Sequence, residues 1–137
     1  MRGAALSMTV LRPRTTAEAL RAIAETPEAL PLSGGTDLMV SWNMGLLNGR
    51  RIIDLSGLRD WSRITPRPGG LRIGALATHS AIQHHPEVRK HFPLLAEACS
   101  TIGALQIQNR GTLGGNIATA SPAGATFPAL AVYDAGV

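Results

Sequence analysis

The chain has 137 residues, 45% hydrophobic and only 4% aromatic, which is enough for one domain, or two small lobes sharing a ligand cleft, with an aliphatic core. Its formal charge of +4 comes from twelve arginines and one lysine scattered along the length; without a cationic stripe or interleaved aromatics this excludes a nucleic-acid surface and leaves solvated faces, or one that receives an acidic partner subunit. The single cysteine, Cys99, excludes an internal disulfide and a Cys-cluster metal site, no stretch approaches the roughly 18 apolar residues of a membrane span, and the chain reads as cytoplasmic.

Residues 1–7 read as a tag, a mis-assigned start or a disordered lead, because the first strand-like run begins at Met8. Thr9–Leu11 is a predicted strand. Thr15, Thr16, Ala17 and Glu18 form a capping box ahead of Leu20, Ile23 and Ala24 at helical spacing, and Pro27 closes that helix. Ala29–Leu32 is a second strand, ending in the glycine turn Ser33-Gly34-Gly35-Thr36-Asp37. A helix carrying Leu38, Met39, Val40, Trp42 and Leu46 follows, ending near Gly45 or Gly49, and Arg51–Leu55 is a third strand. The order is that of a βαβ unit, which places ligand loops at the carboxyl ends of parallel strands.

The pattern changes after Ser56. Trp61–Thr65 and Leu71–Gly74 read as a hairpin around Pro66-Arg67-Pro68-Gly69-Gly70. Thr78 caps a short helix over Ala81, Ile82 and His85. Phe92–Thr101 reads as a buried helix ending at Gly103, with Phe92, Leu94, Leu95, Ala98 and Ile102 as its apolar positions. A strand-like run, Gln106–Gly111, leads into a second glycine turn, Arg110-Gly111-Thr112-Leu113-Gly114-Gly115-Asn116. Pro122–Ala135 is an alanine-rich helix with Phe127, Leu130 and Ala131 on one face. Two clear strands are few for a second lobe, so the chain reads as truncated. The lobes are expected at residues 8–56 and 57–137.

Either glycine turn alone reads more readily as structural than as functional. As a pair they read as two halves of a phosphate clamp. Glycine permits positive φ and close approach, successive N–H groups can then converge on an anion, and Ser33, Thr36 and Thr112 add hydroxyl donors. Asp37 is expected to point away from a diphosphate and to serve the helix dipole. Arg110 either neutralises phosphate or forms a surface ion pair, and Asn116 either donates to the ligand or braces its loop. His79, His84, His85 and His91 lack the spacing of a metal site and read as solvated or capping; Cys99 reads as core. No acid–base constellation appears, so a cofactor must supply any chemistry.

The stretches Leu32–Leu38 and Ile102-Gly103 with Gln106–Pro122 closely resemble the FAD-binding medium subunit of molybdenum hydroxylases, the xanthine dehydrogenase, aldehyde oxidase and carbon monoxide dehydrogenase family. The resemblance runs from about Met8 to Val137. It implies an α+β, p-cresol-methylhydroxylase-type FAD fold, with a small βαβ lobe and an incomplete second α+β lobe. Leu32, Ser33, Gly34, Gly35, Thr36 and Asp37 would form the first FAD-binding loop, and Gly111, Thr112, Leu113, Gly114, Gly115 and Asn116 the second. Ile102 matches the position that approaches the flavin ring. The implied partners are a molybdopterin-binding large subunit and a 2Fe-2S small subunit, with FAD passing electrons from the clusters to an external acceptor. One departure is Ala125, where the family commonly carries a cofactor-binding aspartate; with the early stop it implies weak FAD retention. Another flavin oxidoreductase of the same fold, or an inactive remnant, are the alternatives.

Overall fold

The computed structural model describes residues 8–137, so the reading of the first seven residues lies outside it. The chain divides into two compact units, one ending at Arg59 and the other running from Asp60 to Val137.

The first unit is a three-stranded parallel sheet with two helices. Strand β1 (Thr9–Leu11) leads to α1 (Thr16–Glu25), β2 (Leu30–Leu32), α2 (Leu38–Asn43) and β3 (Arg51–Asp54). The sheet order is β1-β3-β2, with Val10 opposite Ile52 on one side of β3 and Leu30 opposite Ile52 on the other. A central parallel strand is covered on both faces, which is why β3 places two consecutive isoleucines, Ile52 and Ile53, both about 1% exposed. The capping box forms: Thr15 Oγ1 accepts from the Glu18 N–H at 3.1 Å. Glu18 reaches back to the Arg14 N–H at 2.7 Å, one residue beyond the usual reciprocal bond.

The second unit is α+β. A 3₁₀ turn (Arg59–Ser62), which begins at the junction, precedes the hairpin β4 (Ile64–Arg67) and β5 (Gly70–Ile73). The hairpin is shifted from its expected position: Trp61 and Ser62 lie in the 3₁₀ turn, and only Pro68 and Gly69 form the hairpin turn. Arg67 pairs with Gly70 across a two-residue turn, and Gly69 has φ +76. Pro66 then falls opposite Leu71 in a non-hydrogen-bonded pair, where its missing N–H costs the ladder nothing.

Six helices follow: α3 (His79–His84), α4 (Pro86–His91), α5 (Pro93–Ser100), α6 (Leu105–Gln108), α7 (Leu113–Thr119) and α8 (Thr126–Val132). Their core joins Ala77, Ile82, Val88, Leu95, Cys99, Leu113 and Ala129, with Ile64, Leu71 and Ile73 of the hairpin packed against it. Two of these helices escape the sequence pattern. In α4 only Val88 is buried, so no apolar period shows. The run before the second glycine turn is helical rather than extended. Leu105 and Ile107 alternate as in a strand, yet both are exposed, and Gln108 is the buried residue. Its Nε2 donates to the Ser100 carbonyl at 2.9 Å and its Oε1 accepts from Gln83 Nε2 at 2.9 Å, which fixes the helical turn. In α8 the buried residues are Thr126 and Ala129, with Leu130 and Tyr133 packed on the core; Ala131 is exposed, a correction to the expected face.

Candidate functional site

The first glycine turn leaves the carboxyl end of β2, where Leu32, half-buried, is paired with Asp54. Ser33, Gly34, Gly35 and Thr36 are half-buried and Asp37 is exposed. Gly35 has φ +75, a left-handed conformation that an L side chain adopts only at a cost. The Gly35 carbonyl accepts from the Met39 N–H at 3.0 Å and the Asp37 carbonyl from the Val40 N–H at 3.0 Å. Among the described residues, the N–H groups of Gly35, Thr36, Asp37 and Leu38 donate to no protein acceptor. Asp37 sits at the N-cap of α2 in a helical rather than extended conformation and makes no side-chain cap bond. An aspartate at this position ordinarily claims one of those amides. Here four successive donors have no protein acceptor among the described residues, a condition that a backbone anion nest requires.

The second segment has a different construction. Thr112 is the N-cap of α7, and its Oγ1 accepts from the Gly115 N–H at 3.1 Å. Gly114, Gly115 and Asn116 are therefore helical residues, which corrects the expectation of a turn following a strand. The amides expected to converge on an anion are taken within the protein. Gly111 N–H donates to Ile107, Leu113 N–H to Ala77, Gly114 N–H to Ala75 and Asn116 N–H to Thr112, at 2.6 to 3.0 Å. The glycines serve close packing. A Cβ on Gly114 would stand 2.7 Å from the Ala75 carbonyl oxygen, and one on Gly111 would stand 3.1 Å from both His79 Cδ2 and the Ile107 carbonyl oxygen. Leu113 is a core residue, and Asn116 Oδ1 accepts from Thr126 Oγ1 at 2.5 Å, so of its two expected roles bracing is the one this bond performs. Ile102 is half-buried just after α5, beside Gly103 at φ +56.

Sequence reasoning placed His79 among solvated or capping histidines, whereas it is 2% exposed and burial lowers its pKa. Its burial has no local sequence signal, since the ring lies against Gly111, far along the chain. Cys99 is buried as expected, and burial pushes its thiol up to about 12. No group of His, Cys, Asp and Glu among the described residues is arranged to hold a metal ion, and no helix among them is long and apolar enough to cross a membrane.

Residues 6–137 match the family described as the FAD binding domain in molybdopterin dehydrogenase. The chain belongs to this family. The FAD-binding domain is 37% identical over 128 residues to the nicotinate dehydrogenase FAD-subunit of Eubacterium barkeri, covering 91% of the chain and 43% of that protein. It is 36% identical over 126 residues to the xanthine dehydrogenase FAD-binding subunit of Escherichia coli O157:H7, covering 90% and 43%. Among solved structures, a chain of the reconstituted CO dehydrogenase from Oligotropha carboxidovorans aligns with a TM-score of 0.82 at 27% identity, covering 88% of this chain and 42% of that one. Quinoline 2-oxidoreductase from Pseudomonas putida 86 aligns with a TM-score of 0.77 at 28% identity, covering 82% and 39%. The domain thus has the fold of these flavoprotein subunits and spans about 43% of the length of the curated relatives it matches.

Proposed function

We propose that this chain is the FAD-binding component of a molybdenum hydroxylase. The observation that carries the reading is the run of four open amides from Gly35 to Leu38, together with membership of an FAD-binding family. Those donors, with the hydroxyls of Ser33 and Thr36, fit a diphosphate, whose charge-assisted acceptors make stronger bonds than neutral ones. Leu32 gives an apolar shoulder at the entry to the turn. The segment Gly111–Asn116 is assigned to the same cofactor through the shape that its tightly packed backbone gives it rather than through open amides; Thr112 caps it, Leu113 anchors it in the core and Asn116 braces it. Ile102 is assigned to the flavin ring.

Bound FAD would supply two-electron and one-electron redox chemistry that no side chain here offers. The proposed holoenzyme has a molybdopterin-binding large subunit that oxidises substrate and a 2Fe-2S small subunit that relays electrons to the flavin, which reduces an external acceptor. A cytoplasmic location goes with this reading. The test is titration of purified chain with FAD, alone and with the two candidate subunits, read by flavin fluorescence. Saturable FAD binding that falls when Gly35 is replaced supports the proposal; no binding in either state refutes it.

A further inference from the structure

The start of α3 holds the segment leading into α7 almost residue by residue. Thr78 bridges Thr112, and the His79 N–H donates to the Gly111 carbonyl at 3.0 Å. Ser80 Oγ donates to Asn109 Oδ1 at 2.5 Å, and Gln83 Nε2 donates to Gln108 Oε1 at 2.9 Å. All four contacts use backbone or neutral side-chain groups that do not titrate. The titratable group beside them is the buried His79 ring. The His79 side chain is fully buried, and its Nδ1 has no hydrogen-bond partner among the described residues. Its far edge faces Gly111 so closely that a Cβ there would lie 3.1 Å from Cδ2 and 3.3 Å from Nε2. A neutral imidazole tolerates this setting. An imidazolium has two donors and a full charge, and the donor it places on the buried, unpartnered Nδ1 must reach water.

We propose that His79 is a positioning residue of the second glycine segment: its neutral ring seats Gly111 and Thr112, and protonation unseats them and weakens cofactor binding. This role rests on the assignment of Gly111–Asn116 to FAD. The titratable and charged groups on the elements packed against α3 are Glu87, Arg89, Lys90 and His91 on α4 and Glu97 and Cys99 on α5, with His84 and His85 at the end of α3 itself and Arg110 in the held segment. None of them sets the ring's pKa, which burial alone lowers from 6.5. The transition therefore falls on the acid side of that value, and the seated form holds at neutral pH.

The experiment is an NMR titration of the isotopically labelled chain, without cofactor, from pH 7.5 to 5. The His79 ring resonances are expected to titrate with a midpoint below 6.5, and the amides of Gly111, Thr112 and Gly115 to follow the same midpoint while those of Ile52 and Ile53 stay still. His79→Phe, or His79→Asn where the larger ring does not fold, should make the segment's amides flat across the range. Ser80→Ala should displace the Asn109 and Gly111 signals but keep the midpoint. Segment amides that titrate unchanged in the His79 variant, or that ignore the His79 midpoint, overturn the proposal. FAD affinity measured in parallel should fall as the pH is lowered from 7.5 through the His79 midpoint to 5.5, and should lose that dependence in the His79 variant. Equal affinity at both pH values overturns this role and leaves the FAD reading intact. Absence of FAD binding throughout overturns the cofactor assignment, and this role with it, whatever the amides do.

Discussion

Replacing Gly114 by alanine should destabilise the second unit, against what helix propensity alone dictates. Gly114 is the second residue of α7, and within a helix Gly→Ala ordinarily gains up to about 1 kcal/mol. Here the new methyl would stand 2.7 Å from the Ala75 carbonyl oxygen, 2.8 Å from its Cβ and 3.1 Å from its Cα. Two of those atoms are backbone, so no rotamer change relieves the contact. The same carbonyl accepts the Gly114 N–H at 2.8 Å, and moving it away gives up a hydrogen bond worth about 1 kcal/mol. Overpacking of about 1–3 kcal/mol adds to that loss, and the propensity gain offsets part of it, leaving a net cost of about 2 kcal/mol. In a unit of this size such a change lowers Tm by roughly 10 °C. Thermal unfolding followed by circular dichroism measures it, with Gly70→Ala as the control. Gly70 has no heavy atom within 4 Å of its Cβ position and no positive φ, so its replacement should stay within about 0.5 kcal/mol of the parent. A Gly114→Ala variant as stable as the parent, or more so, would refute the assignment of this glycine to packing.

At Gly35 the cost is conformational instead. The left-handed φ costs an alanine about 1–2 kcal/mol, the contacts at 3.3 Å to Leu32 Cδ1 and 3.4 Å to Met39 Cγ involve side-chain tips that yield, and the stiffer unfolded chain returns about 0.4–1 kcal/mol. Gly35→Ala should lose about 1 kcal/mol in urea unfolding yet weaken FAD binding more than tenfold, about 1.4 kcal/mol, as the open amides tilt; unchanged FAD affinity would count against the nest. Cys99, with its thiol pushed up to about 12 by burial, should resist a thiol-disulfide reagent at pH 8 and react only as the second unit unfolds in urea; fast labelling of the native chain would contradict its place in the core. Ala125 stands at the N-cap of α8 in a helical conformation without a side-chain cap bond. Ala125→Asp should add about 0.3–1 kcal/mol through the helix start and tighten FAD retention several-fold in a flavin titration, whereas unaltered retention would show that the parent's binding does not depend on an acid there.

The parallel βαβ unit was legible because its signals are local. Thr15 with Glu18 marks a helix start within four residues, and Ile52-Ile53 inside a short run marks a strand covered on both faces. Thr78 as a cap was legible for the same reason. What the sequence hid depends on distant partners. Leu105 and Ile107 alternate like a strand, and only the bonds from Gln108 to Ser100 and Gln83 reveal a helical turn. His79 shows no apolar context of its own, since what buries it is a segment some thirty residues further on. Pro66 reads as a turn residue until the register places it opposite Leu71.

The two glycine segments make the limit concrete, because glycine has two physical uses that are written with one letter. At Gly35 the residue permits a positive φ that turns the chain and leaves the following donors unclaimed. At Gly111 and Gly114 it removes a side chain so that backbone and an imidazole can lie against it, and the neighbouring amides are consumed in doing so. An anion gains from the first arrangement directly, since unpaired donors at a half-buried turn are already partly desolvated and fixed in direction before it arrives. It gains nothing from amides that already have acceptors. The second segment can therefore contribute to a cofactor only through shape and through the rigidity that the contacts from Thr78, His79, Ser80 and Gln83 impose. Mutations in the first segment should act on the charge of a bound diphosphate and respond to salt, while mutations in the second should act through packing and be largely indifferent to it.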